Sequence, residues 1–131
     1  MAKQVELGLG SVDLSVSQYR VLGLLDESSA FSSALAERLA VRPPSITAII
    51  DGLVARGLVD RKHEEDDRRR IALRLTDEGA RIVAAADLSV DEYMASIAAC
   101  LPAREEAMVL RSLELWGQAL ANFHQVRAES R

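Results

Sequence analysis

The chain has 131 residues, of which 49% are apolar and only 4% aromatic. That suffices for one domain or one subunit of an obligate oligomer, with a core of Leu, Ile, Val and Ala, a composition that favours helices. No run of eighteen apolar residues is present to span a membrane, the opening Met1-Ala2-Lys3-Gln4-Val5-Glu6 lacks the order of a secretory signal, and the lone Cys100 excludes an intramolecular disulfide, so the expectation is a cytoplasmic protein.

The net charge of −4 argues against nucleic acid as a partner, but the charge is unevenly distributed. Residues 1–75 carry 11 basic and 11 acidic side chains, and residues 76–131 carry 5 and 9. Arg61, Lys62, Arg68, Arg69, Arg70 and Arg74 fall within fourteen residues. Local charge of this kind can serve DNA binding whatever the total.

In chain order, Ser15 followed by Gln18 reads as a capping box that opens a helix through Tyr19, Leu22 and Leu25, broken at Glu27-Ser28-Ser29. A short helix is expected from Ser33 to Leu39 with Ser32 as N-cap. Ala40-Val41-Arg42 is a tight connector, and Pro43 and Pro44 suit the first turn of a third helix reaching about Arg56. Within it Ile46, Ile49, Ile50, Leu53 and Val54 form one apolar stripe, and Gly57 is placed to close it in a left-handed conformation.

The period then changes to two. Leu58-Val59-Asp60-Arg61 and Ile71-Ala72-Leu73-Arg74-Leu75 read as the strands of a hairpin, the latter with Ile71, Leu73 and Leu75 on its inner side, joined by the charged tip His63 to Arg69. Thr76 is the N-cap expected for a long helix to about Leu101, with Asp77 and Glu78 in its first turn. Pro102 opens a last helix to about Arg127.

Along the two long helices Val83, Ala86, Val90, Tyr93, Ile97 and Cys100, then Val109, Leu113, Trp116, Leu120 and Phe123, repeat at spacings of three and four. Such heptad spacing suits helix-on-helix packing. The alternative is that both stripes pack on their own domain. A dimer seam built from Val90, Tyr93, Ile97, Val109, Leu113, Trp116, Leu120 and Phe123 is favoured, because so small a domain cannot bury every stripe.

The succession of helix, short helix, tight turn, amphipathic helix and charged hairpin is that of a winged helix-turn-helix. The expected fold is mainly α with a small β-hairpin wing, one domain over residues 1–131, with the winged helix-turn-helix at 14–80 and the long helices at 76–127. A helix of this kind fits the major groove, and the helix before it crosses the backbone.

Several segments strengthen the reading. Leu14 to Leu22, Leu35-Ala36-Glu37-Arg38-Leu39, Arg42 to Thr47, Arg56 to Arg61, Asp67-Arg68-Arg69 and Leu75-Thr76-Asp77-Glu78-Gly79 together resemble the DNA-binding domain of the multiple antibiotic resistance regulator (MarR) family. The resemblance implies a transcriptional regulator, more often a repressor than an activator, that binds pseudo-palindromic double-stranded DNA as a homodimer. It implies no cofactor, and a response to a small aromatic or lipophilic effector. Tyr19, Trp116 and Phe123 are candidates to line an effector pocket, though core packing accounts for each.

Transferred position by position, the resemblance makes Arg69 the wing-tip arginine in or beside the minor groove, oriented by Asp67. Ser45 and Thr47 would touch phosphates or base edges, and Arg61 would support the wing or a backbone contact. Lys62, Arg68 and Arg70 would meet phosphates. The bland reading of Asp66 to Arg70 is a solvated turn; the helix-turn-helix before it favours contact.

The sequence departs from the family in two places. Pro44, Ala48, Asp51, Gly52 and Ala55 lie opposite the apolar stripe, so the groove-facing side is small and carries one acid, with Arg42 at its start as the compensating cation. Readout of groove shape through the wing should therefore matter more than usual. Only thirteen residues precede Leu14, including Gly8 and Gly10, so a leading helix should be absent or much reduced and dimerisation should rest on the last two helices.

No nucleophile elbow, phosphate-binding glycine loop or Cys-His pairing suggests an enzyme. His63 among acids and His124 alone lack ligand spacing for a metal. Cys100, on an apolar spacing, is expected to be a buried thiol. The rival reading from another class is a winged-helix protein-interaction module that has lost DNA binding, for which the sparse groove face and the net acidity speak.

Overall fold

A computed structural model describes residues 2–63 and 71–129, with the side chains of 2, 121 and 124–129 left aside. It divides into two compact units, Met1–Glu92 and Tyr93–Arg131.

The first unit opens with α1 (Ala2–Gly8) and one 3-10 turn (Leu9–Ser11), so a helix does stand ahead of Leu14. Leu9 is buried in the core, and Val5 packs against it. Ser89 donates to the Gly8 carbonyl at 2.6 Å, which leaves Ser11 to donate to Ser89 at 2.6 Å.

Helix α2 (Val16–Glu27) begins with the expected capping box. Gln18 N–H donates to Ser15 Oγ at 3.1 Å, and Ser15 N–H donates to Gln18 Oε1 at 3.0 Å. The two-residue strand β1 (Ala30–Phe31) follows; it is too short to show any period in the sequence. Helix α3 starts at Ser32 and runs to Leu39 (Ser32–Leu39), with Phe31 rather than Ser32 as N-cap and no side-chain cap. The strand that ends at Phe31 delivers the chain into the helix one residue early.

Helix α4 (Pro43–Ala55) puts Pro43 and Pro44 in its first turn and buries Ile46, Ile50 and Leu53. Both α3 and α4 end in a Schellman closure. After α4, Gly57 takes φ +69°, Gly57 N–H reaches Val54 O at 2.9 Å and Leu58 N–H reaches Leu53 O at 3.0 Å. After α3 the left-handed position is held by Ala40, at φ 53° and ψ 43°, with Val41 N–H on Ala36 O at 3.0 Å.

Strands β2 (Val59–His63) and β3 (Ile71–Leu75) pair antiparallel from Val59↔Leu75 to His63↔Ile71. Strand β1 pairs on the other side of β3, giving the order β1-β3-β2. That third strand explains a departure in β3. Ala72 is buried, standing beside Phe31 across the ladder, whereas Ile71 is 41% exposed, beyond the reach of the core.

Helix α5 (Asp77–Ala98) closes the first unit: Val83 and Ala86 are buried in the same core as Leu22, Leu35 and Leu53, and Val90 packs half-buried against it. The spacing that placed Val90 in a seam between helices thus has its first half spent inside the domain.

The second unit holds the end of α5 and the 27-residue α6 (Ala103–Glu129). Cys100 is exposed, not buried, because α5 has ended two residues earlier; its thiol lies 3.6 Å from Ser96 O. Val109, Leu113, Trp116, Leu120 and Phe123 are all exposed, Trp116 at 67%. No helix among the described residues is long and apolar enough to cross a membrane.

Candidate nucleic-acid interface

Helix α3, the left-handed turn at Ala40 and helix α4 form the helix-turn-helix, with the buried Ile46, Ile50 and Leu53 fixing which side of α4 faces outward. Pro44, Ser45, Thr47, Ala48, Asp51 and Ala55 are exposed on that helix, and Arg42 is exposed immediately before it.

The first turn of α4 offers no spare backbone donor. Pro43 and Pro44 carry no N–H, Ser45 N–H donates to Arg42 O at 3.0 Å and Ile46 N–H to the same carbonyl at 3.1 Å. A helix N-terminus ordinarily holds phosphate through such N–H groups. Here an anion can be met only by the helix dipole and by side chains, of which the Arg42 guanidinium and the Ser45 hydroxyl are in place. Thr47 is already engaged, its hydroxyl donating to Pro43 O at 3.0 Å, so that oxygen is left as an acceptor.

Gly52 is half-buried, with Gln18 Nε2 4.0 Å from the position of an added Cβ. Gly52 therefore lies beside the end of Gln18 of α2, at the margin of the open face that Pro44, Ala48, Asp51 and Ala55 form. Asp51 is tied to Arg61 of β2 by an ion pair, with both side chains exposed. At the other end of α4, Arg56 donates to Asp13 O at 2.9 Å and approaches Asp13 Oδ2 at 3.9 Å. Asp13 stands at φ 50°, and the sequence carried no signal for this fastening beyond the two opposite charges.

On the hairpin, Arg61 and Lys62 alternate between its two faces and are both exposed. Arg74 stands in register with Asp60 on the Lys62 face. Asp67, Arg68, Arg69 and Arg70 lie outside the described residues. The interface brings together Arg42, Pro44, Ser45 and Thr47 at the start of one helix, and joins Arg61 to the same helix further along.

The hairpin is anchored at its base. Thr76 Oγ1 donates to Gly57 O at 2.7 Å and accepts from Gly79 N–H at 3.0 Å, and Thr76 N–H donates to Leu58 O at 3.1 Å. The first turn of α5 is thereby fastened to the link between α4 and β2. Tyr19 on α2 donates to Asp87 of α5 at 2.6 Å. Burial, then this hydrogen bond and the charges of Asp87 and Asp91, hold its phenol well above the ordinary tyrosine range. Tyr19 is therefore a packing and hydrogen-bonding residue between two helices. A shallow depression of about 440 Å³ opens nearby over Leu25, Ser29, Arg74, Leu75, Thr76 and Asp77 among others; Tyr19 does not line it.

A helix-turn-helix followed by a hairpin, with a third short strand completing the sheet, defines a winged-helix protein. Comparison with known proteins narrows this. The MarR family model matches residues 12–70. An HTH-type transcriptional regulator of Mycobacterium bovis is 35% identical over 113 residues, which cover 86% of this chain and 78% of the relative.

The crystal structure of the YusO protein of Bacillus subtilis superposes with a TM-score of 0.75 at 28% identity, over 89% of this chain and 84% of that one. A mutant of Staphylococcus aureus MepR, bound to an oligodeoxyribonucleotide, shares the fold with a TM-score of 0.68 at 21% identity, over 90% and 88% of the two chains. The chain belongs to the MarR family; it is a winged-helix transcriptional regulator and not an enzyme.

Proposed function

We propose that the protein is a repressor that binds a pseudo-palindromic DNA operator as a homodimer, with α4 in the major groove and the wing reaching the neighbouring minor groove. The observation that carries the reading is the exposed side of the helix-turn-helix, where Arg42, Ser45 and Thr47 stand together at the head of α4. In this reading Arg69, oriented by Asp67, enters the minor groove, and Lys62, Arg68 and Arg70 meet phosphates. The DNA-bound MepR mutant, of the same fold, supports a DNA partner. The exposed stripe Val109, Leu113, Trp116, Leu120 and Phe123 supports the dimer, because apolar patches left bare on one chain mark contact surfaces. Tyr93 and Ile97 extend that seam from the end of α5. A small aromatic or lipophilic effector shifts the dimer between geometries whose recognition helices do and do not match one turn of DNA.

Fluorescence anisotropy with a labelled duplex from the gene's own upstream region, across a salt series, tests this. Wild type should bind with affinity falling steeply as salt rises. Arg69→Ala should weaken binding about tenfold or more. Binding unchanged by Arg69→Ala would remove the wing from the reading. A folded dimer that binds no duplex even at low salt would point to the interaction module.

A further inference from the structure

The one charged side chain of α4 has the wrong sign for DNA. From Pro43 to Ala55 the helix carries no Lys or Arg, and Asp51 is its single ionisable residue, exposed on the side of Ala48 and Ala55. Arg61 reaches it from the hairpin. Arg61 also occupies a particular place in the sheet. On its face of the ladder Val59 is buried behind it and Leu73, directly opposite, is buried, whereas His63 and Ile71, one step further out, are exposed. Arg61 therefore stands where the hairpin leaves the body of the domain. There its guanidinium ties the hairpin to the recognition helix.

We infer that the Asp51–Arg61 pair is a strut that sets the position of the wing relative to the recognition helix, and that Arg61 is a positioning residue rather than a phosphate contact. This rests on the DNA-binding reading above. Two physical arguments favour it. An exposed ion pair contributes little to folding, so a stability role does not account for it. Yet a bare carboxylate on the groove side of a helix with no cation of its own would repel the phosphates, and pairing removes that repulsion while leaving Arg61 fixed in direction. With the groove face of α4 reduced to Pro44, Ala48 and Ala55 around this pair, discrimination between sequences depends on where the wing is held.

The strut and plain electrostatics predict opposite signs for one variant. Asp51→Ala removes an acid and frees an arginine. If Asp51 only repels and Arg61 is a phosphate ligand, binding to every duplex tightens. If the pair is a strut, binding to a selected sequence weakens while binding to unselected DNA does not. The experiment uses the full chain, a duplex enriched by wild type from a random-sequence pool, and an alternating inosine–cytosine duplex as non-specific competitor. Asp51→Ala, Arg61→Ala, the double variant and Asp51→Glu are compared, each checked for an unchanged unfolding midpoint.

The expected result is a drop in the specific-to-non-specific ratio of about tenfold for each single alanine variant, on the scale of one mismatched base pair. The double variant should be little worse than either single one, and Asp51→Glu should keep most of the ratio. Tighter binding of Asp51→Ala to both duplexes, or losses that add in the double variant, overturns the strut and makes Arg61 a phosphate contact. Failure of wild type to enrich any sequence overturns the DNA-binding reading itself, and the strut with it.

Discussion

Leu75-Thr76-Asp77-Glu78-Gly79 was legible in the sequence as a family pattern and as a helix cap, but the reason for its last residue is visible only in three dimensions. A Cβ on Gly79 would stand 2.1 Å from the Leu58 carbonyl oxygen and 2.8 Å from Leu75 Cδ1. Gly79 is a close-approach glycine: it lets the first turn of α5 lie against the backbone that links α4 to β2. The obstacle is backbone, and that backbone is held by Thr76 N–H, so it cannot move aside cheaply. Gly79→Ala should destabilise the domain by on the order of 3 kcal/mol. Urea unfolding should show the midpoint falling with the slope unchanged. A midpoint within error of wild type would mean that the α4–β2 link is far softer than these contacts indicate. The same blindness of sequence to distant neighbours hid the Arg56–Asp13 and Arg61–Asp51 fastenings. Opposite charges 43 and 10 positions apart carry no period, and the sequence abounds in such combinations.

At the scale of elements, α2, α4 and α5 are readable because each repeats its apolar residues over two turns or more and opens on a recognisable start, at Ser15, Pro43-Pro44 and Thr76, whereas the cap of α3 falls at Phe31 and not at Ser32. Their ends fell within a few residues of expectation. The sheet was readable only in part. Strand β1 is two residues long, and its pairing with β3 reverses the exposure of Ile71 and Ala72 relative to simple alternation. Ala40-Val41-Arg42 reads as a tight turn between α3 and α4, but nothing in the sequence shows that Ala40 occupies a left-handed conformation, since glycine is the usual resident. A left-handed alanine costs about 1–2 kcal/mol relative to right-handed backbone. Ala40→Gly should therefore stabilise the domain by on the order of 0.5–1 kcal/mol after the extra flexibility glycine gives the unfolded chain. The check is a raised thermal midpoint in calorimetry. A lowered one would show that the alanine methyl contributes packing that outweighs the strain.

On the whole-molecule scale, one signal, heptad spacing, stands for two different destinations. On α5 the spacing first serves the domain core, through Val83, Ala86 and Val90. On α6 it leaves Leu113 37% and Phe123 55% exposed alongside Trp116. Periodicity reports that one side of a helix is apolar; it does not report what covers that side. If a second copy does, Trp116→Glu should place a charge in the seam, and light scattering should give the 14.3 kDa mass of one chain where wild type gives twice that. Trp116 is the only tryptophan. Its emission should shift to the red in the variant-free protein on dilution, as the indole returns to water. A Trp116→Glu protein that keeps the doubled mass would move the seam off α6.

The three hydrogen bonds centred on Thr76 have a mechanical consequence. Two of them bolt the beginning of α5 to the link between α4 and β2 at Gly57 and Leu58, and the third caps α5 itself. The start of α5 and the link between α4 and β2 are thereby fastened to each other, with the base of the hairpin between them. A rotation of the first turn of α5 should therefore carry the end of α4 and the base of the hairpin with it. In the proposed dimer, release from DNA would then demand no local unfolding: two such DNA-binding heads set for grooves about 34 Å apart would lose register together when their α5 helices turn.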